Sequence, residues 1–355
     1  MKIKHSLLRR FIIIIMFISF FFMYSWKFII HQPDAPYLNI EIVDSIYFKY
    51  EKINGIGHEK GITRRDPSDI IKVDSLYYIW YTRISSNNCL YPSGYCGTIW
   101  YATSFDGYTW AEKGEALGTG ATGAFDSHAV FTPNILKFKG KYYLYYTGVK
   151  PTPGNPDNRF ENNSETDNTA IGIAVSGSPD GPFVRINNEP ILKPSEIIGN
   201  FDSYRVDDAA LVVKNKKIWL YYKGRSLIHG NSGPLFTQMG VAFADKPEGR
   251  YVKFKNNPLL TKCHEVLIWN QAKGISTLAS IDRSIYYAGD GLDFIPVWKE
   301  LQEIPKAAGL FRPHLTIHSK QCINGWGISH ENKNGDLYLI RFDMSFIVKN
   351  YFYGK

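Results

Sequence analysis

Three stretches of the chain lie on one another without a gap: "IIKVDSLYYIWYT" from Ile70, "ILKFKGKYYLYYT" from Ile135 and "LVVKNKKIWLYYK" from Leu211. A unit that recurs in this way cannot bury its apolar face alone and must stack against its own copies. Each copy has two short apolar runs separated by a polar tip, "VDS", "FKG" or "KNK", which is the pattern of a hairpin. The second run is aromatic or aliphatic at nearly every position and predicts a strand covered on both faces. A further pair of strands follows each hairpin, in "TIWYATSFDGYTW", "AIGIAVSGSPDGPF" and "MGVAFADKPEGRY", with the shared turn at Asp106, Asp180 and Glu248. The unit is therefore a four-stranded meander.

Two weaker copies follow, "EVLIWNQAKGISTLAS" with "SIYYAGDGLDF", then "FRPHLTIHSKQCINGWGISHENKNGDLYLIRF". With 44% hydrophobic and 15% aromatic residues among 355, the chain has enough apolar matter for a large core. Almost no stretch after the N-terminus has helical periodicity. These features predict an all-β fold, a five-bladed β-propeller over residues 61–355, with about 60 residues per blade. A β-sandwich would not need the same four-strand unit to recur.

The N-terminus reads differently. Lys2, Lys4, Arg9 and Arg10 precede an uncharged run from Phe11 to Trp26, then Lys27 and three more apolar residues. No small-residue cleavage pattern follows, so residues 1–30 are expected to be a signal anchor rather than a cleaved signal peptide, crossing a membrane through residues 11–30. Residues 31–60 would be a linker and lead-in. Basic residues on the N-terminal side predict a propeller outside the cytoplasm, or a secreted one if the segment is removed. These basic residues also supply five of the formal +8 charges. What remains is modest, and no nucleic-acid function is assigned to it. Cys89 and Cys96 flank "LYPSGY" and could close a short loop disulfide, with free thiols as the alternative. No His/Cys zinc spacing occurs, so no metal or cofactor is expected.

In a propeller the first strand of each blade lies against the central channel, so acids at strand starts converge. The gap-free alignment puts Asp207 of "RVDDAALVV" on Asp66 of "RRDPSDII". The neighbouring Asp208 would face the other way on a regular strand. The fourth copy brings His264 and Glu265 in "CHEVLIW" to the same edge. Two or three carboxylates around one funnel suit glycosidic hydrolysis, where one acid protonates the leaving oxygen and another activates water. Arg65, His128, Thr132, Asn134, Arg312 and His314 stand near predicted inner-strand starts and are candidate sugar contacts. Structural ion pairs with neighbouring arginines are the alternative reading of the acids.

The ordered motifs "RRDPSDIIKV", "YPSGY", "TIWYATSFDG", "VFTPNILKFKGKYYLYYTG", "RVDDAALVV", "WLYYKGR" and "HEVLIW" resemble glycoside hydrolase family 117 from about residue 60 to about 315. More distantly the pattern is similar to family 43. The resemblance implies a five-bladed propeller acting as an exo-α-1,3-(3,6-anhydro)-L-galactosidase on red-algal oligosaccharides, with inversion. It implies Asp66 as the general base and Asp207 as the residue that tunes and orients the acid. The proton donor would lie in the pair His264 and Glu265, with both kept as candidates. Family 117 enzymes are commonly dimers with an N-terminal helical segment, which this chain has little room for before Asp66, so its oligomeric state stays open. A sugar-binding propeller without turnover is the competing reading. A membrane-anchored glycosyltransferase is disfavoured because D-x-D patterns and alternating β/α units are absent.

Overall fold

The computed structural model describes residues 43–85, 96–151, 167–271, 274–312 and 325–348. The segment expected to span a membrane, residues 11–30, lies outside them. Among the described residues no helix is long and apolar enough to cross a membrane.

The described chain is all-β apart from a 3-10 stretch, Leu227–Phe236. The strand β1 (Val43–Lys52) comes first and stands apart from the meanders that follow. The first meander contains β2 (Ile62–Arg65), β3 (Ile71–Val73), β4 (Leu76–Ser85), β5 (Thr98–Ser104) and β6 (Trp110–Leu117). The second runs through β7 (Ala129–Phe138), β8 (Lys141–Pro151), β9 (Asp167–Ser176) and the short β10 (Val184–Arg185). Then come β11 (Arg205–Lys214), β12 (Lys217–Arg225), β13 (Gln238–Ala244), β14 (Val252–Lys253) and β15 (Leu260–Thr261). A parallel pair, Arg205 with Thr169, joins the second and third meanders into one hydrogen-bonded sheet. A separate sheet holds β16 (Val266–Gln271), β17 (Gly274–Ala279), β18 (Ser284–Ala288) and β19 (Ile295–Trp298). The last is built from β20 (Gly309–Leu310), β21 (Trp326–Lys333) and β22 (Asp336–Val348), and β1 completes it in antiparallel register.

That closure corrects the sequence-based boundary, which left residues 43–52 in the lead-in. Their alternation of buried Ile46 and Phe48 with exposed Tyr47 is a period-two pattern, and Phe48 meets Phe342 edge-on at 6.0 Å. Its antiparallel partner is β22, the last described strand.

The aromatic second strands behave as the repeat predicts. Tyr78 and Trp80 of β4 pack with Val130, Ile135 and Leu144 of the second meander. Ile79 and Tyr81, pointing the opposite way, pack with Ile328 and Leu339 of the last. The same two-sided burial recurs on β12, where Leu220 and Tyr222 face Leu136 and Tyr145 while Trp219 and Tyr221 face Ile268 and Ile275. Hairpin tips use left-handed residues, Asn215 with Lys216 and Asn334 with Gly335, the conformation that two-residue turns demand. Asp106 holds its turn by accepting the backbone N–H groups of Tyr108 and Thr109 at 2.7 and 2.8 Å.

At the start of the inner strands, charge joins the meanders. Arg312 Nη1 donates to Asp69 Oδ2 at 2.7 Å, and Nη2 donates to the carbonyl of Leu211 at 2.8 Å. Asp69 Oδ1 accepts the N–H of Leu310, and Asn134 Nδ2 donates to the carbonyl of Ala209. Arg312 is fully buried and Asp69 almost so. Breaking a buried pair by removing one partner leaves the other uncompensated. Arg312→Met is therefore expected to lower stability by about 3–5 kcal/mol, read as a fall in melting temperature. A sugar-contacting arginine would leave the melting temperature near that of the wild type.

Candidate active site

A left-handed residue stands between β2 and β3 and near the start of both β7 and β11. Asp66, Thr132 and Asp208 have φ of 48°, 43° and 53°. Positive φ is tolerated by aspartate and costly for a β-branched threonine, so the conformation is held by its surroundings. At Thr132 and Asp208 it coincides with a bulge: the pairing of β7 with β8 shifts between Phe131 and Asn134, and that of β11 with β12 between Asp207 and Ala210. A bulge re-aims a side chain that a regular strand would point elsewhere.

Asp66, Thr132, Asp208 and Glu265 consequently line one cavity with about 430 Å³ of free space, floored by Asp69 and Asn134. The acid on its wall from β11 is Asp208, whereas Asp207 is absent from the lining. The gap-free alignment favoured Asp207 because the first meander carries one extra residue. Asp66 stands five residues before Ile71, which pairs with Tyr78; Asp208 stands four before Val212, which pairs with Trp219 in the equivalent register. Counting from the left-handed residue rather than the hairpin tip equates Asp66 with Asp208.

The four carboxylates differ in environment. Asp66 Oδ2 lies 2.9 Å from Arg65 Nε, and its Oδ1 lies 3.9 Å from His330 Nδ1. Asp208 Oδ2 is 2.6 Å from Lys223 Nζ. Burial nevertheless pushes the Asp208 carboxyl up to about 7, with Asp207 and Asp66 adding to burial and Lys223 opposing it. Asp207, buried behind the wall, has Lys223 Nζ at 3.5 Å and Arg205 Nε at 4.0 Å. Burial raises its proton affinity, but Lys223, Arg205 and Arg225 outweigh burial and hold it below the usual carboxylate range. Glu265 is likewise lowered, because His264, Ser280, Lys223 and His330 more than offset its burial. Of Asp207, Asp208 and Glu265, the carboxyl that retains a proton near neutrality is Asp208.

His264 does not line the 430 Å³ cavity. It borders a second one, with about 800 Å³ of free space, together with Glu265, Ser280, Arg283 and Lys306. Its Nδ1 lies 3.3 Å from the carbonyl of Pro234 and 3.5 Å from Thr237 Oγ1. A carbonyl only accepts, so Nδ1 carries the hydrogen. Burial, helped by Lys223, drives the imidazole down to about 4, and the ring is neutral at ordinary pH with Nε2 as an acceptor. Glu265 is thus the member of the pair that borders both cavities.

The expected sugar contacts divide. Thr132 and Asn134 reach the wall, but the Asn134 amide is committed to Ala209, Asp69 and Ile135. The Thr132 hydroxyl shares a 2.5 Å hydrogen bond with that of Thr147. Arg65 flanks Asp66. His128 is off the wall, its imidazole pushed down by burial. Arg312 is a correction: it is enclosed and spent on Asp69 and Leu211. His314 lies outside the described residues. Cys96 is disulfide-bonded, while Cys89 also lies outside them. Lys223 and His330 were not anticipated. Lys223 had a readable signal, since an unbulged hairpin around residues 215–216 sets it opposite Asp208; His330 sits in the weakest repeat and had none. Among the described residues no group of three or more His, Cys, Asp or Glu is arranged to hold a metal ion.

Carboxylates from three meanders on one small cavity, on this fold, define a glycoside hydrolase. A family model described as glycosyl hydrolases family 43 matches residues 61–239, half of the chain, and the chain belongs to that family. Among solved structures it is similar to Zg3597, a family 117 glycoside hydrolase produced by the marine bacterium Zobellia galactanivorans. The identity is 29%, over 84% of this chain and 90% of that one, with a TM-score of 0.71. This bears out the likeness to family 117 read from the motifs. A thermostable family-43 glycoside hydrolase shares the fold at 15% identity, over 85% of this chain and 94% of that one, with a TM-score of 0.53. So does the endo-arabinase from Bacteroides thetaiotaomicron VPI-5482, at 17% identity, over 85% and 99%, with a TM-score of 0.50. No curated protein matches the sequence.

The raised Asp208 carboxyl has a consequence for stability. A carboxyl bound more tightly to its proton in the folded state favours folding at low pH, and that contribution is lost as pH rises through about 7. Asparagine cannot ionise. Asp208→Asn is therefore expected to gain on the wild type as pH rises from about 4 to about 8, by a few kcal/mol at most, measured by denaturant unfolding at both pH values.

Proposed function

We propose that this glycoside hydrolase is a five-bladed propeller that removes one terminal sugar from an oligosaccharide with inversion at the anomeric carbon. The observation that carries the reading is the convergence of Asp66, Asp208 and Glu265 on the wall of one cavity. Asp66 takes the proton of the attacking water as general base. Asp208 holds a proton near neutrality, so the cluster carries the one proton that the reaction must deliver. That proton passes from Asp208 to Glu265, which borders both cavities and gives it to the glycosidic oxygen, and the leaving group occupies the space beside His264. A sugar seated against Glu265 excludes water and raises the proton affinity of that carboxyl.

The resemblance of the motifs to family 117, to which Zg3597 belongs, supports 3,6-anhydro-L-galactose, from agar-type oligosaccharides, as the released sugar. The family 43 match supports a second substrate class, arabinosides and xylosides. We infer further that residues 11–30 anchor the protein with the catalytic domain outside the cytoplasm. The disulfide at Cys96 supports this, since disulfides persist in oxidising compartments.

Neoagarobiose, arabinosides, xylosides and galactosides, offered to the fragment from residue 31 and followed by NMR, test the reading. Release of anhydro-galactose, first seen as the inverted anomer, is the expected outcome. Activity on another glycoside alone reassigns the sugar, and glycan binding without turnover identifies a binding propeller. Asp66→Asn is expected to lower kcat by at least about 10³-fold, on the scale of removing an essential catalytic group, with the melting temperature retained.

A further inference from the structure

Lys223 stands on β12, where its backbone pairs with Asp207 beside the bulge. Its ammonium is buried, 2.6 Å from Asp208 Oδ2 and 3.5 Å from Asp207 Oδ1. Lysine is seldom so enclosed unless it is paired. The two aspartates do not play equivalent parts. Asp207 is shut away from the cavity with Arg205 beside it and acts as a fixed anion. Asp208 faces the cavity. Lys223 bridges the fixed anion and the cavity-facing one.

We propose that Lys223 is a positioning residue of the hydrolytic reaction: it clamps the bulge that turns Asp208 into the cavity and sets the charge that the Asp66, Asp208 and Glu265 cluster carries. The proposal rests on this cavity being the hydrolytic site. The groups facing the cluster are Asp207, Arg205 and Arg225 from β11 and β12, His264 ahead of β16, Arg65 beside Asp66, and His330 from β21. Of these, Arg205 and Arg225 act on Asp207, and Arg65 on Asp66. His264 is neutral. Lys223 is the cation that acts on Asp207, Asp208 and Glu265 together. It opposes protonation of Asp208, so removing its charge keeps Asp208 neutral to higher pH. A lysine that merely filled space would not alter that titration.

The test compares wild type, Lys223→Gln and Lys223→Arg by carbon-13 NMR titration of the Asp208 carboxyl, assigned with Asp208→Asn, and by the pH dependence of kcat. In Lys223→Gln the Asp208 midpoint is expected to rise by at least about one unit, and the alkaline limb of kcat to move the same way. At pH 7 kcat is expected to fall about 10²-fold with KM within about threefold, the split of a group acting through the transition state. Lys223→Arg restores both the midpoint and the limb towards wild type. Asp207→Asn, which removes the fixed anion, moves the midpoint downward and decides the matter if Lys223→Gln does not fold. An unmoved Asp208 midpoint in folded Lys223→Gln, or a downward one, overturns the proposal. If the wild type cleaves no glycoside, the reading of the cavity fails, while the carboxyl titration still judges Lys223.

Discussion

The Asp69–Arg312 pair is the point at which the sheets are tied together by charge rather than by packing alone. Its two buried groups reach into four meanders: Asp69 belongs to the first, Arg312 follows the inner strand of the last, Leu211 offers its carbonyl from the third, and Asn134 of the second meets the backbone of Asp69. Elsewhere the sheets meet mainly through interleaved aromatic and aliphatic side chains, which tolerate small sliding movements. A fully enclosed ion pair with directed hydrogen bonds does not. It fixes the inner strands relative to one another and therefore fixes where their first residues stand.

Asp66 and Asp208 near those starts line the cavity. Both sit in left-handed conformations that a free chain disfavours, Asp66 three residues before Asp69 and Asp208 three before Leu211. The rigidity of the centre sustains this local strain, and the strain aims both carboxylates into one cavity. Closure by β1 adds a fourth strand to the sheet that carries His330.

Around the cavity the cations are shared unevenly among the acids. Lys223 is shared between Asp207 and Asp208, and Arg205 stands beside Asp207. The result is an uneven distribution of charge in which Asp207 and Glu265 hold anions and Asp208 keeps its proton near neutrality. That unevenness is what acid and base catalysis by like groups requires. It arises from burial and from which cation reaches which oxygen, rather than from the residues' chemical identities.

The sequence by itself determined the meander and its recurrence. "YYIWYT", "YYLYYT" and "IWLYYK" leave no polar face to turn to water, so each strand had to be covered on both sides by neighbours like itself. It also placed Asp66 and the His264–Glu265 pair at strand starts, since turn signals and apolar runs are local. Tertiary structure decided what depends on a one-residue offset or on distant partners. A bulge at Asp208 chose it over Asp207, because one extra residue before Ile71 defeats an alignment anchored on the hairpin tips. Arg312 became a strut because Asp69, far away in the chain, stood opposite it. The carbonyl of Pro234 and burial hold His264 as a neutral acceptor, beside the cavity that Glu265 lines. Local pattern is written in periodicity, whereas side-chain direction and proton affinity follow from long-range contacts that no single stretch of sequence contains.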